Sequence, residues 1–547
     1  MRKLMFCKIL SAFLLAALLT GCSRSEPIEP PPQPPPEQRL TFSVTSLPTI
    51  DPQRFNSDSS YIVIKGFAEG LISMANGEIR PGVAERWEFS PDNMTVTFHL
   101  RQNARWSDGT PLTANDFLFA FRRLANPENE FENRHMLSKI VNGTEIAFGN
   151  GDMPVEMLGV SAPDNHTFII RFNTPAPYFI YALDMPIFYP VRRDFVERYG
   201  YEFATSANKI IGNGPFVVEE YLSDRRIRMI PNEHYWNRNA IKLEEVTILV
   251  LDADSALSAF RRGELDMINI PLPQTADFLS GESRFMTSPV KPYMEGGVEW
   301  FNINTVSEDN VILTNVYFRR ALNFALDREL LVEEATNNVH LPAVRIIHPH
   351  VTGFYDLHPV DVLAKEADAV RAREYLVAAM DAVGIANTVD VYISVKVPDT
   401  AGARRIAEQS KEQWERTLGI NVTIEVLSTR ALNDAFESGN FDLILELFYP
   451  SFNDPFAYLG RFVSNHPLNG GQFSNIRYDA LIVAANMSQQ ESIRFAAFEE
   501  AERILLEDAA VIPLNVRQRA WAMRPNLRGF IRFYFGARSD FRYAFFE

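Results

Sequence analysis

The residues of this chain that could do chemistry are polar side chains set beside aromatic ones at the ends of apolar runs. Trp300 and Phe301 lead into Asn302-x-Asn304, and Leu443-Ile444-Leu445 is followed by Glu446, Phe448 and Tyr449. Such residues suit non-covalent contacts. A carboxylate can balance a cation, an amide can donate and accept hydrogen bonds, and a ring can cover apolar surface. Covalent chemistry finds little footing. No P-loop string, G-x-S-x-G, H-E-x-x-H or Rossmann fingerprint occurs. A hydrolase would need a triad scattered along the chain. His348-Pro349-His350 is the one close histidine pair, and its proline and apolar flank mark a loop rather than a ligand set. No enzyme activity, metal or cofactor is expected.

The elements that must position these residues alternate in type. Glu245 to Leu251, Thr388 to Val395, Val422 to Leu427 and Phe441 to Phe448 read as strands. Ala253 to Arg262, Ala364 to Val383, Gly402 to Leu418 and Glu491 to Asp508 read as helices. That alternation predicts an α/β protein with its sheets covered on both faces. About 510 residues beyond a proline-rich segment exceed one ordinary domain. From Pro81 to Pro127 the local physics is clear. Thr95, Thr97, His99 and Arg101 alternate with Val96, Phe98 and Leu100, the period of a half-buried strand. Trp106-Ser107-Asp108-Gly109 supplies a turn, Thr113 an N-cap with Asp116 three residues on, and Asn126-Pro127 a stop. Trp87, Trp106, Asp108 and Asp116 are read as folding residues.

The first residues address the chain to a membrane surface. Arg2, Lys3 and Lys8 precede or border the apolar run Ile9 to Leu19, and Leu19-Thr20-Gly21-Cys22 follows, an ending that resembles a bacterial lipobox. Residues 1–21 are expected to be a lipoprotein signal peptide and Cys22 the lipidated residue. Cys7 leaves with the signal, so the mature chain has no disulfide and no thiolate site. Residues 22–39 form a tether. Pro27 to Pro36 holds seven prolines and should extend as a polyproline helix of roughly 30 Å. Removing three cations from a formal charge of −16 leaves −19, which argues against nucleic-acid partners.

The exact strings go further. Pro81-Gly82-Val83-Ala84-Glu85-x-Trp87, Phe98-His99-Leu100-Arg101 and Trp106-Ser107-Asp108-Gly109-x-Pro111-Leu112-Thr113-Ala114-x-Asp116-Phe117 resemble the signature of the family 5 extracytoplasmic solute-binding proteins. These are the oligopeptide-, dipeptide- and nickel-binding proteins of ATP-binding-cassette transporters. Leu47 to Pro52, Glu69-Gly70-Leu71, Asn213-Gly214-Pro215-Phe216, Asn232 to Trp236, Phe260 to Asp266, Asn302-x-Asn304 and Phe318 to Leu331 extend the likeness over roughly residues 40 to 520.

The resemblance implies a two-lobe clamshell of the periplasmic-binding-protein type (type II, cluster C), with a subdomain inserted in the first lobe. Mapped here, the first lobe is 40–66, 204–293 and 510–547, the insert 67–203 and the second lobe 294–509. The hinge crossings fall near Tyr293 to Ile303 and Val511 to Val516. The implied function is capture of oligopeptides or peptide-like solutes by lobe closure, with delivery to permease subunits. A lipid-anchored monomer on the outer face of a bacterial membrane is expected. Open alternatives are the same fold around a nickel chelate, sugar or cell-wall fragment, and a surface or signalling lipoprotein.

The implied solute site includes Asn56, Ser57 and Asp58 of the first loop, Trp300, Phe301 and Asn302 at the hinge, and Phe448 and Tyr449. The family's ammonium-binding Asp falls on Ser451 of Ser451-Phe452-Asn453-Asp454-Pro455. A hydroxyl cannot neutralise an ammonium. Three readings stay open: Glu446 or Asp454 supplies the charge from a shifted position, the solute has a blocked or displaced amine, or it is no peptide. Asn453 and Asp454 complete the candidate set.

Overall fold

In the computed structural model, residues 36–55, 57–75, 78–149, 151–270, 275, 290–351, 353–450, 452–532 and 539–547 are described. Residues 38–546 form one compact unit. Among the described residues, one mixed sheet of eleven strands organises it. Asn421–Leu427, Tyr392–Pro398, Leu443–Phe448 and Val290–Ile303 lie to one side of Val511–Met523. Met267–Asn269, Arg39–Val44, Glu245–Val250, Arg226–Pro231 and Phe216–Leu222 lie to the other, and Leu341–Pro342 also pairs with Val511–Met523.

The two longest strands, Val290–Ile303 and Val511–Met523, run antiparallel at the centre. Their register slips between Met294 and Val298 and again between Glu299 and Trp300. A slip of this kind bends a strand and sharpens its twist. Gly297 sits in it because a Cβ there would lie 2.4 Å from the Tyr449 ring. Beyond the slip the side chains alternate between two cores. Val298 and Trp300 join a cluster with Ile346, Phe462 and Phe498, while Phe301 and Ile303 join one with Phe318, Trp414 and Leu443. Period-two alternation on a strand covered from both sides explains why the run reads as continuously apolar.

A third and larger core joins Arg39–Val44, the helix Asp58–Phe67 and the segment that follows it. There an antiparallel sheet of Ala84–Phe89, Thr95–Leu100, Thr167–Arg171 and Val160–Asp164 packs on the helix Ala114–Ala125. Phe117 and Phe121 meet Phe168 at 5.8 and 5.2 Å. The Thr113 amide donates to Asp116 Oδ2 at 2.8 Å, as the capping spacing predicts. Trp106 is buried, and Gly109 takes φ +84° in the turn beside it. Asp108 accepts from the Thr110 amide and pairs with Arg192. These residues hold this segment together.

Boundaries differ where a cap intervenes. The helix expected from Ala364 starts at Ala369, because Asp368 accepts from the Arg371 amide and caps it. The strand expected from Thr388 starts at Tyr392, because Thr388–Asp390 closes a 3₁₀ turn.

Candidate functional site

Two of the acids nominated by the sequence, Glu446 and Asp454, are held by arginines. Glu446 lies opposite Trp300 in the pairing of Leu443–Phe448 with Val290–Ile303. Its carboxylate meets Arg461 at 2.5 Å and accepts from Asn302 Nδ2 at 2.6 Å. Trp300 Nε1 in turn donates to Asn302 Oδ1 at 3.2 Å. The Arg461 guanidinium lies 4.7 Å from the Phe448 ring centroid, so its charge is shared between a carboxylate and a π face. Trp300 and Phe301 are fully buried in separate cores.

Asp454 is deeper still. It meets Arg494 Nη2 at 2.8 Å and accepts from the Phe456 amide at 2.9 Å. Burial pushes its carboxyl up, against the pull of Arg494 and that amide. The Tyr178 ring stacks on Phe456 at 4.0 Å and on Phe452 at 5.7 Å. Burial and Asp454 together push the Tyr181 hydroxyl up to about 12. Asn453 is buried beside this cluster in sequence. Tyr449 packs over Gly297. Asn56, Ser451 and Cys22 lie outside the described residues.

A cavity of about 810 Å³ opens elsewhere. Its wall is Phe42 to Ser46 at the end of Arg39–Val44, Ser57 to Ser59 at the start of Asp58–Phe67, Met267 and Asn269, and Arg517 to Arg519 with Trp521. His340 reaches it because Leu341–Pro342 pairs with Val516 and Asn515. Of the nominated residues, Ser57 and Asp58 line this space, whereas Trp300, Phe301, Asn302, Glu446, Phe448, Tyr449, Asn453 and Asp454 do not. Ser57 caps its helix by accepting from the Ser60 amide at 3.2 Å.

Arg517, Arg519 and His340 were missed by the sequence reading, which ended the crossing at Val516. The signal lies just beyond: Asn515-Val516-Arg517-Gln518-Arg519 puts two cations in the middle of a central strand. A central strand carries such charge only where something other than core faces it. Arg517 Nη2 donates to Glu299 Oε1 at 2.5 Å, and Asn515 Nδ2 to Glu299 Oε2 at 2.7 Å. Arg517 Nη1 approaches His340 Nε2 at 3.0 Å. Burial, with Arg517 and Arg519 nearby, pushes the His340 imidazole down to about 3, so it is neutral at pH 7. Asn269 accepts from Arg519 Nη1 at 3.1 Å in the amide orientation that satisfies both its ends.

The family model for bacterial extracellular solute-binding proteins, family 5 middle region, matches residues 78–470. The chain is 28% identical over 501 residues to the periplasmic murein peptide-binding protein MppA of Escherichia coli (strain K12), covering 90% of each. It is 26% identical over 506 residues to the oligopeptide-binding protein OppA of Bacillus subtilis (strain 168), again covering 90% of each. Among solved structures it overlays the unliganded open form of the murein tripeptide-binding protein MppA with a TM-score of 0.82. That match has 26% identity and covers 93% of this chain and 97% of the other. The fold is the α/β clamshell of the periplasmic binding proteins.

Proposed function

Because this chain belongs to the bacterial extracellular solute-binding proteins of family 5, we propose that it captures peptides or peptide-like solutes outside the cytoplasm and delivers them to the permease subunits of an ATP-binding-cassette transporter. The lobes are 40–66, 204–293 and 510–547 for the first, with 67–203 inserted, and 294–509 for the second. On that division the paired strands Val290–Ile303 and Val511–Met523 are the hinge. The observation that carries the reading is the cavity on Val511–Met523, which takes His340 from one side of the division and Ser57 and Asp58 from the other. A solute touching both walls favours the closed form by the difference in its contacts. No bond of the solute need change. The names of the murein peptide-binding and oligopeptide-binding relatives support a peptide-like solute.

A mixed pool of tri- to pentapeptides should raise the melting temperature of the delipidated protein. Ligand at about 100 times Kd stabilises the bound form by about 2.7 kcal/mol. An unmoved transition with every pool rejects peptide capture. Cys22 carries the proposed lipid, which with the proline segment holds a monomer off the outer face of a membrane. Acyl mass on the N-terminal fragment of protein extracted from membranes, absent in Cys22→Ser, tests that anchor.

A further inference from the structure

One end of the cavity is apolar and uncharged. Arg39–Val44 pairs in parallel with Glu245–Val250 on one side and with Met267–Asn269 on the other. Val44 is paired with Val250 and Phe42 with Met267, so the carboxyl ends of the three strands lie level. The space beyond such ends is where α/β sheets seat ligands. Val44, Leu251, Met267 and Ile270 line the cavity there. The helix Ala253–Arg261 starts at the same end and packs on Ile268 and Ile270. Ala253 and Ala256, three apart on one face, are side chains that it turns to the cavity. Its capping acid is engaged elsewhere: Asp252 accepts from the Ser255 amide at 2.9 Å and from the Ser255 hydroxyl at 2.7 Å. Among the described residues, the charged members of the lining, Asp58, Arg517 and Arg519, come from other elements, the helix Asp58–Phe67 and the strand Val511–Met523.

We propose that this end of the cavity is a side-chain subsite, walled by Val44, Leu251, Ala256, Met267 and Ile270, that selects solutes carrying a bulky apolar side chain such as leucine, methionine or phenylalanine. The proposal rests on the peptide-capture reading and names a preference within it. Ala256, Met267 and Ile270 are buried members of the cores on either side of the sheet, so packing behind them fixes the shape of the wall. Alanine at 256 leaves space that a longer side chain would fill. An apolar side chain entering that space takes apolar surface from water on both partners. An ammonium or carboxylate entering it would lose hydration and find no counter-charge among these wall residues. Contacts to a peptide backbone accept every side chain alike, whereas a shaped apolar wall discriminates by size and polarity.

A tetra-alanine peptide tests this, with one position at a time changed to leucine, glutamate or lysine. Binding is read by equilibrium dialysis with mass spectrometry. The expected result is a position at which leucine binds about tenfold or more tighter than alanine, while glutamate and lysine there bind no tighter than alanine. Ala256→Leu, which fills the space, should bring that leucine-to-alanine ratio to within about threefold. Leu251→Ala, at a half-buried wall residue, should lower the ratio by a smaller factor, and it serves where Ala256→Leu fails to fold. A leucine advantage at no position overturns the subsite and leaves peptide capture intact, provided that the alanine peptide binds. A leucine advantage that Ala256→Leu or Leu251→Ala leaves unchanged places the selecting surface elsewhere and also overturns it. Failure of every peptide in the set removes peptide capture and this inference with it.

Discussion

Asp454 with Arg494 and Glu299 with Arg517 are built from the same parts. In both, a carboxylate is nearly sealed, 2% and 3% exposed, and grips a guanidinium at 2.8 and 2.5 Å. The arginines differ: the Arg494 side chain is 8% exposed and the Arg517 side chain 22%. The first pair is backed by Phe456 and the stacked Tyr178, and it closes a contact between the segments around 178–181 and 452–456. The second stands on the wall of the 810 Å³ cavity. An acid–arginine pair therefore does not reveal its role by its distance. The role follows from whether the arginine has open space on its other side.

The sharpest way to break the comparison is to remove one arginine from the sealed pair. Arg494→Met leaves Asp454 buried with no counter-ion, and such a loss costs about 3–5 kcal/mol of stability. Urea denaturation should show that loss, and Asp454→Asn combined with Arg494→Met should recover part of it, since neither charge is then stranded. Peptide affinity of the folded fraction should be unchanged. A stability loss below about 1 kcal/mol, or a selective loss of affinity, would place Asp454 in the solute site after all.

The sequence made the scaffold legible and the site only partly so, for a physical reason. Strand and helix periods survive in a single chain because burial enforces them: the alternation of Val96, Phe98 and Leu100 is also the alternation of their burial. Trp300 and Phe301 were legible as part of an apolar run, and both are core. Asp454 was nominated because the resemblance puts the family's ammonium position at Ser451, and a carboxylate three residues on could supply the charge from a shifted place. Arg494, forty residues on, already occupies that carboxylate, and no local pattern announces a partner at that range. Arg517 and Arg519 carried a readable clue, charge inside a central strand. That clue acquires meaning only once Val511–Met523 is known to be central.

His340 supplies a smaller effect that sharpens the same contrast, because it belongs to the open pair alone. Its imidazole is held at about 3 against an unperturbed 6.5, by burial first and by Arg517 and Arg519 next. A depressed histidine resists protonation in the folded chain while the unfolded chain accepts the proton freely. The unfolded state therefore binds more protons below pH 6.5, and stability falls as pH falls from 6.5 toward 3. The slope is about 1.4 kcal/mol per pH unit for one proton, so about 2 kcal/mol separates pH 6.5 from pH 5. Above 6.5 the group contributes no slope. Urea midpoints at pH 7 and pH 5 should therefore converge in His340→Gln relative to the unaltered protein, while in Arg494→Met the histidine part of the difference should persist. An equal pH difference with and without His340 would mean that the imidazole takes up its proton in the folded chain. The wall beside Arg517 would then carry one more positive charge at pH 5 than the geometry at neutral pH provides.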